Sequence, residues 1–184
     1  MLFSGFLPLA LRRPDAHVTG LFDALFRPHL RFVRVRPMSR YMEMALEQAR
    51  LAAERGEVPV GAVIVSERGD VLAANGNRTR ADSDPTAHAE VLVIREAAHK
   101  LRDERLLGCD LYVTLEPCPM CAGAISFARL RRVYFGASDP KGGGVEHGPR
   151  VFSHATCHHR PEVYGGLSET AAAEILRNFF AGRR

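Results

Sequence analysis

Cysteine is scarce in this chain, with four in 184 residues. Two of the four sit in a single C-x-x-C pair, so no disulfide framework is expected and a reducing cytoplasm is the natural setting. Long apolar runs are missing too: none approaches the length of a membrane-spanning helix. Most of the chain also lacks net charge. The formal +4 arises in residues 1–37, where Arg12, Arg13, Arg27, Arg31, Arg34 and Arg36 face only Asp15 and Asp23. The rest holds 19 basic and 19 acidic residues, so bulk charge argues neither for nor against a nucleic-acid partner. What remains is the composition of a globular protein, 46% hydrophobic and 25% charged, at a length that suits one α/β domain with a full core.

Within that ordinary composition one constellation stands out. Asp84-Pro-Thr-Ala-His88-Ala-Glu90 is answered downstream by Glu116-Pro-Cys118-Pro-Met-Cys121, an H-x-E…P-C-x-x-C pattern. Zinc accepts imidazole nitrogen and thiolate sulfur, and a catalytic site keeps three protein ligands with the fourth position open. His88, Cys118 and Cys121 supply the three. Glu90 is then an unligated carboxylate beside the metal, placed for proton transfer. Cys118 and Cys121, three apart at a helix start, lie on one face. A helix N-terminus favours the thiolate. His88 is expected at the head of a second helix, with Asp84 as N-cap and Pro85 at the first helical position. Glu90 follows His88 by two residues, roughly 200° around a helix, which makes it a poor second ligand. The competing reading is a closed structural zinc site. It needs a fourth ligand, and between His88 and Cys121 only His99 and Cys109 are on offer.

In chain order, residues 1–37 form a stretch rich in Arg, Phe, Leu and Pro with no clear period. They read as a leader or, preferably, as a start assigned too early, Met38 being a natural beginning. A helix capped by Ser39 and ended by Gly56 follows. Gly61–Ser66 and Val71–Asn75 read as a hairpin turned at Glu67–Asp70. The His88 helix runs to about Lys100, and Cys109–Thr114 is a strand. A Cys helix to about Arg129 comes next, then the strand Arg132–Gly136, a loop to about Arg160, a short strand at Val163-Tyr164, and a helix from Ser168 to Phe180. These elements imply an α/β fold of three layers, α/β/α, around a mixed sheet of about five strands. The metal-bearing helices follow loop or strand ends, so the site is expected at one edge of the sheet.

With those residues in place, the chain resembles the cytidine-deaminase-like superfamily, whose zinc members carry this signature. Glu57-Val-Pro-Val-Gly-Ala62, Leu111-Tyr-Val-Thr-Leu-Glu-Pro-Cys118, Met120-Cys-Ala-Gly-Ala124 and Phe135-Gly-Ala-Ser-Asp139-Pro-Lys141 resemble the bacterial tRNA-specific adenosine deaminases over residues 38–184. The resemblance implies a cytoplasmic homodimer with one Zn2+ per subunit. It would deaminate adenosine to inosine at the wobble position of a tRNA anticodon arm, with zinc-activated water and Glu90 as proton shuttle. It also makes Asn77 a contact to the base, and Asp139 and Lys141 contacts to the surrounding ribose–phosphate. Arg183-Arg184 would lie near the RNA. The alternatives are a deaminase of free bases or nucleotides, cytosine or guanine, and a non-catalytic RNA-binding zinc module. An intact Glu90 disfavours the module. The chain departs from the family at Gly142–Gly144 and at His154-Ala-Thr-Cys157-His158-His159. The spacing of that second cluster suits no tetrahedral metal site, so surface loop residues are expected there.

Overall fold

The computed structural model describes residues 37–182. The expectations for the leader and for Arg183-Arg184 lie outside them. The elements run α1 (Pro37–Glu54), β1 (Gly61–Val65), β2 (Val71–Gly76), α2 (Ala89–Leu101), β3 (Asp110–Leu115), α3 (Pro119–Phe127), β4 (Arg132–Ala137), a single 3-10 turn at Val151–Ser153, β5 (Glu162–Tyr164) and α4 (Glu169–Ala181). The strands form one sheet in the order β2-β1-β3-β4-β5. The hairpin β1–β2 and the pair β1–β3 are antiparallel, while β3–β4 and β4–β5 are parallel. This mixed pattern follows from the connections. A five-residue connection, 66–70, returns the chain antiparallel, whereas the α3 crossover delivers β4 parallel to β3.

Strand alternation divides the core into two. Ala62, Ile64, Leu111, Val113, Val133 and Phe135 join Ala89, Val93, Ala122 and Ile125 beneath α2 and α3. Their neighbours along the strands, Val63, Val65, Tyr112 and Tyr134, pack instead with Met42, Leu46 and Ala172 beneath α1 and α4. The result is the expected three-layer α/β/α sandwich. All five residues of β1 are buried, as its Gly-Ala-Val-Ile-Val composition requires of a strand covered on both faces. Four tyrosines form one row across the α1/α4 side, with Tyr112, Tyr134 and Tyr164 stacked and Tyr41 tilted against Tyr112. Ring centroids lie 5.2 Å apart for Tyr41–Tyr112, 4.7 Å for Tyr112–Tyr134 and 5.0 Å for Tyr134–Tyr164.

Several helix ends differ from expectation. α1 begins at Pro37, so Ser39 lies in its first turn and is not the cap; proline is favoured in that position because it has no N–H to leave unpaired. Its far end is as expected, with Gly56 at φ 81°. α3 stops at Phe127, and Arg129 turns the chain away at φ 58°. Ser168 does precede α4 but is left-handed, with its side chain making no cap hydrogen bond. Among the described residues no helix is long and apolar enough to cross a membrane.

Phe135 is the largest fully buried side chain, and it comes from β4 within the core beneath α2 and α3. Phe135→Ala is expected to destabilise the fold by about 3–5 kcal/mol, the usual range for emptying such a site. Chemical denaturation checks this, and a loss below about 1 kcal/mol would show that the position collapses freely.

Candidate active site and metal centre

β3 ends at Leu115, and Glu116-Pro117 turns the chain into α3. Cys118 is the N-cap of that helix, at φ −68° and ψ 169°, followed by Pro119. Cys121 is buried in the first turn. His88 is likewise an N-cap, of α2, at φ −74° and ψ 149°, and its side chain makes no cap bond. Two helix N-termini therefore meet beyond the C-terminal end of β3. The edge carrying the site is the one formed by strand ends, at the middle strand of five.

This placement corrects the expectation for Asp84. Its Oδ1 accepts the Thr86 N–H and hydroxyl, both at 2.7 Å, and Pro85 sits in that turn, outside the helix. The local Asx turn wins because it satisfies two donors two residues away. The first N–H of α2 is met by Asn77, whose Oδ1 accepts from Ala89 at 2.8 Å. An N–H can only donate, so this bond fixes the amide: the oxygen faces the helix, and the NH2 is the half of the side chain left for other partners.

His88 Nδ1 lies 3.7 Å from Cys118 Sγ and 3.5 Å from Cys121 Sγ. The donor atoms of the three all fall within 4.8 Å of one another. Ligands at zinc's usual bond lengths and a tetrahedral angle are about 3.6 Å apart, so one ion fits this set with a fourth position open. The Cys121 thiol, then the His88 imidazole, hold Cys118 down at about 4. Donation to Cys118 and burial push Cys121 up, and the bond to Cys118 raises His88. A polarised set of this kind is suited to a cation.

Glu90 stands outside the donor trio, only 3% exposed. Burial pushes its carboxyl up to about 7. It lines a cavity of about 220 Å³ together with His88, Cys118, Asn77, Thr79, Asp139 and the apolar Val58, Val60 and Leu115. Asp139 Oδ1 accepts the backbone N–H groups of Lys141 and Gly142 at 3.1 and 3.0 Å. Lys141 is exposed and is not among the cavity's lining residues. Of the three residues expected to touch substrate, two are thus brought to the cavity and Lys141 is not.

Two buried glutamates beside the cavity, Glu57 and Glu116, went unassigned in the sequence. Glu57 is 0% exposed and ties down the loop after Asn77. It accepts the Thr79 hydroxyl at 3.0 Å and the N–H groups of Arg80 and Ala81, each at 2.9 Å. Glu116 does the same for the loop after Asp139. The signal available was a glutamate bounded by apolar residues, as in Glu57-Val-Pro-Val and Leu115-Glu116-Pro117. The His154–His159 segment forms no metal site among the described residues. His159 Nε2 donates to the Leu130 carbonyl at 2.6 Å, and Cys157 Sγ contacts the His159 carbonyl at 3.1 Å. The bond to Leu130, with the Ser126 hydroxyl donating to the His159 carbonyl at 2.7 Å, fastens the segment to the α3–β4 corner.

A His/Cys/Cys donor set with an adjacent unligated glutamate, at strand ends of an α/β/α sandwich, defines a zinc-dependent deaminase. Residues 36–137 match the cytidine and deoxycytidylate deaminase zinc-binding region. The tRNA-specific adenosine deaminase of Agrobacterium fabrum is 62% identical over 146 residues, covering 79% of this chain and 95% of the relative. That of Bacillus subtilis is 44% identical over 140 residues, covering 76% and 86%. A structure from studies of A-to-I editing by tRNA:A34 deaminases at the wobble position superposes with a TM-score of 0.74 and 63% identity, covering 75% of this chain and 99% of that one. Guanine deaminase from Nitrosomonas europaea gives a TM-score of 0.63 at 28% identity, covering 78% and 84%. The chain belongs to the tRNA-specific adenosine deaminase family.

Glu57 offers a test of how the cavity wall is held. Burial pushes its carboxyl up, but the bonds from Ala81, Thr79 and Arg80 outweigh this and leave it below its ordinary value. A depressed folded-state pKa means the stabilisation is present above the unfolded-state value of about 4.3 and fades as pH falls through the folded one. Glu57→Gln should lower stability at pH 7 by about 1–3 kcal/mol. The melting curves of wild type and variant should converge between pH 5 and pH 3; a pH-independent gap would contradict the assignment.

Proposed function

We propose that this protein converts adenosine to inosine at the wobble position of a tRNA anticodon arm. The observation that carries the reading is the meeting of His88, Cys118 and Cys121 at ligand spacing, with a buried Glu90 outside that trio in the same small cavity. His88, Cys118 and Cys121 hold the zinc. When bound, zinc supplies Lewis acidity that makes a water molecule acidic near neutral pH. Glu90 takes a proton from water and delivers it to N1 of the adenine ring, which makes C6 electrophilic. The water oxygen bonds to C6, Glu90 takes its second proton and gives it to the amino nitrogen, and the C6–N bond breaks, releasing ammonia and leaving the C6 carbonyl of inosine.

The remaining residues orient the base. Asn77 presents its NH2 to the purine, because its oxygen is committed to Ala89. Asp139 meets the ribose with the oxygen not used in its own turn, and the exposed Lys141 ammonium meets the RNA backbone outside the cavity. At about 220 Å³, below the ~300–1,000 Å³ of drug-sized ligand sites, the cavity suits a single flipped base.

The deaminase unit comprises residues 38–184. In support, the Agrobacterium fabrum relative is matched over 95% of its length by 146 residues of this chain. The protein acts in the cytoplasm as a homodimer. On α3, Met120 and Phe127 are 39% and 81% exposed on the same face as Gly123, beside a cleft of about 590 Å³. Exposed apolar surface of that kind marks a protein interface.

The test is inosine formation by the zinc-loaded protein on an anticodon stem-loop, with free adenosine, cytosine and guanine in parallel. The stem-loop alone should react, and removing residues 1–37 should leave its turnover intact. Cys118→Ala and Cys121→Ala should each lose zinc and turnover together. Preferential turnover of free guanine or cytosine would overturn the RNA reading. Stoichiometric zinc in either cysteine variant would overturn the ligand assignment.

A further inference from the structure

Glu116 has no task in that chemistry, yet it is the most densely bonded side chain at the site. Its side chain is 0% exposed. Oε1 accepts the N–H groups of Val145, Glu146 and His147 at 3.2, 2.8 and 2.9 Å. Oε2 accepts the Asp139 N–H at 3.0 Å and is paired with His147 Nδ1 at 2.7 Å. Every one of these donors belongs to the loop 139–147.

That loop has no helix or strand of its own. It closes with two further backbone bonds, Gly143 N–H to the Asp139 carbonyl at 2.9 Å and Gly144 N–H to the Pro117 carbonyl at 2.8 Å. At Gly143 a Cβ would lie 2.5 Å from the Glu116 carboxyl carbon and 2.6 Å from the Asp139 carbonyl oxygen. The loop is therefore wrapped directly on the carboxylate, with no room for any side chain between them. The first residue it grips, Asp139, lines the cavity shared with His88, Glu90 and Cys118.

We propose that Glu116 is a positioning residue for the RNA: by holding the Asp139 N–H and the loop behind it, it sets where the Asp139 carboxylate stands in the cavity wall. The inference rests on the substrate role proposed for Asp139. Glutamine at 116 keeps the volume and one acceptor oxygen. If that oxygen serves Val145, Glu146 and His147, the NH2 faces the Asp139 N–H, donor against donor, and the grip on Asp139 is lost.

The experiment measures stem-loop affinity by fluorescence anisotropy and single-turnover rate separately, on zinc-loaded wild type, Glu116→Gln, Gly143→Ala, Asp139→Asn and the Glu116→Gln/Asp139→Asn pair. Glu116→Gln should weaken binding about tenfold, equivalent to about 1.4 kcal/mol, with a smaller effect on the bound-state rate and unchanged zinc content. Gly143→Ala should shift affinity the same way, since its methyl forces the loop off the carboxylate, and it decides the matter if the Gln variant fails to fold. Adding Glu116→Gln to Asp139→Asn should cost less than about threefold further, as expected for two residues acting through one contact. Effects that multiply, or a loss of rate at unchanged affinity, would reduce Glu116 to a purely structural role and overturn the proposal. Wild-type affinity in Asp139→Asn would overturn the Asp139 reading and this inference with it. Tight binding without inosine would overturn the functional reading alone.

Discussion

The site depends on a constraint at two helix starts. His88 and Cys118 are both N-cap residues, the positions whose side chains ordinarily accept a hydrogen bond from the first turn. Here neither side chain does so. Imidazole and thiol are instead turned toward each other and toward Cys121. The helix donors released by this arrangement need other acceptors. Asn77 supplies one for α2 from a separate loop. Removing the cap from the helix and returning it from the cavity wall ties the metal centre to the substrate wall through one amide.

The same economy of contacts appears in the two buried glutamates. A carboxylate taken out of water is stable only when donors surround it. Glu57 and Glu116 meet that condition with groups drawn almost wholly from loop backbone. Each glutamate lies at a sheet-side junction, Glu57 shortly before β1 and Glu116 directly after β3, and each grips the loop carrying a cavity residue, Asn77 or Asp139. Loops with little structure of their own are thereby given fixed positions relative to the strands. The cavity has rigid walls because two charges were placed inside the protein to hold them.

Much of this was legible in the sequence, for identifiable reasons. Strands and helices came from apolar periodicity and from Gly56, signals fixed by local geometry. The donor trio was legible because His88, Cys118 and Cys121 are residue types with few other reasons to share such spacing. The helix caps were less legible. Ser39 and Asp84 have the right chemistry, but the start of α1 at Pro37 and a competing Asx turn displace them; Ser168 holds the N-cap of α4 without a side-chain bond. Glu57 and Glu116 passed without roles because their partners are backbone N–H groups, which every residue carries and no sequence pattern marks. The stacking of Tyr112, Tyr134 and Tyr164 was hidden because it depends on strand order across the sheet. Lys141 was assigned to the ribose–phosphate by resemblance, and the turn at Asp139 leaves it exposed outside the cavity.

The central claim is that Glu90 moves protons beside the metal without being one of its ligands. Glu90→Gln tests it most directly, because glutamine keeps the volume and an acceptor oxygen but cannot take up a proton. Single-turnover inosine formation on the anticodon stem-loop, with zinc measured on the same sample, should fall by about 10²–10⁴-fold at full zinc occupancy. Loss of zinc in the variant, or a rate within about tenfold of wild type, would contradict the account.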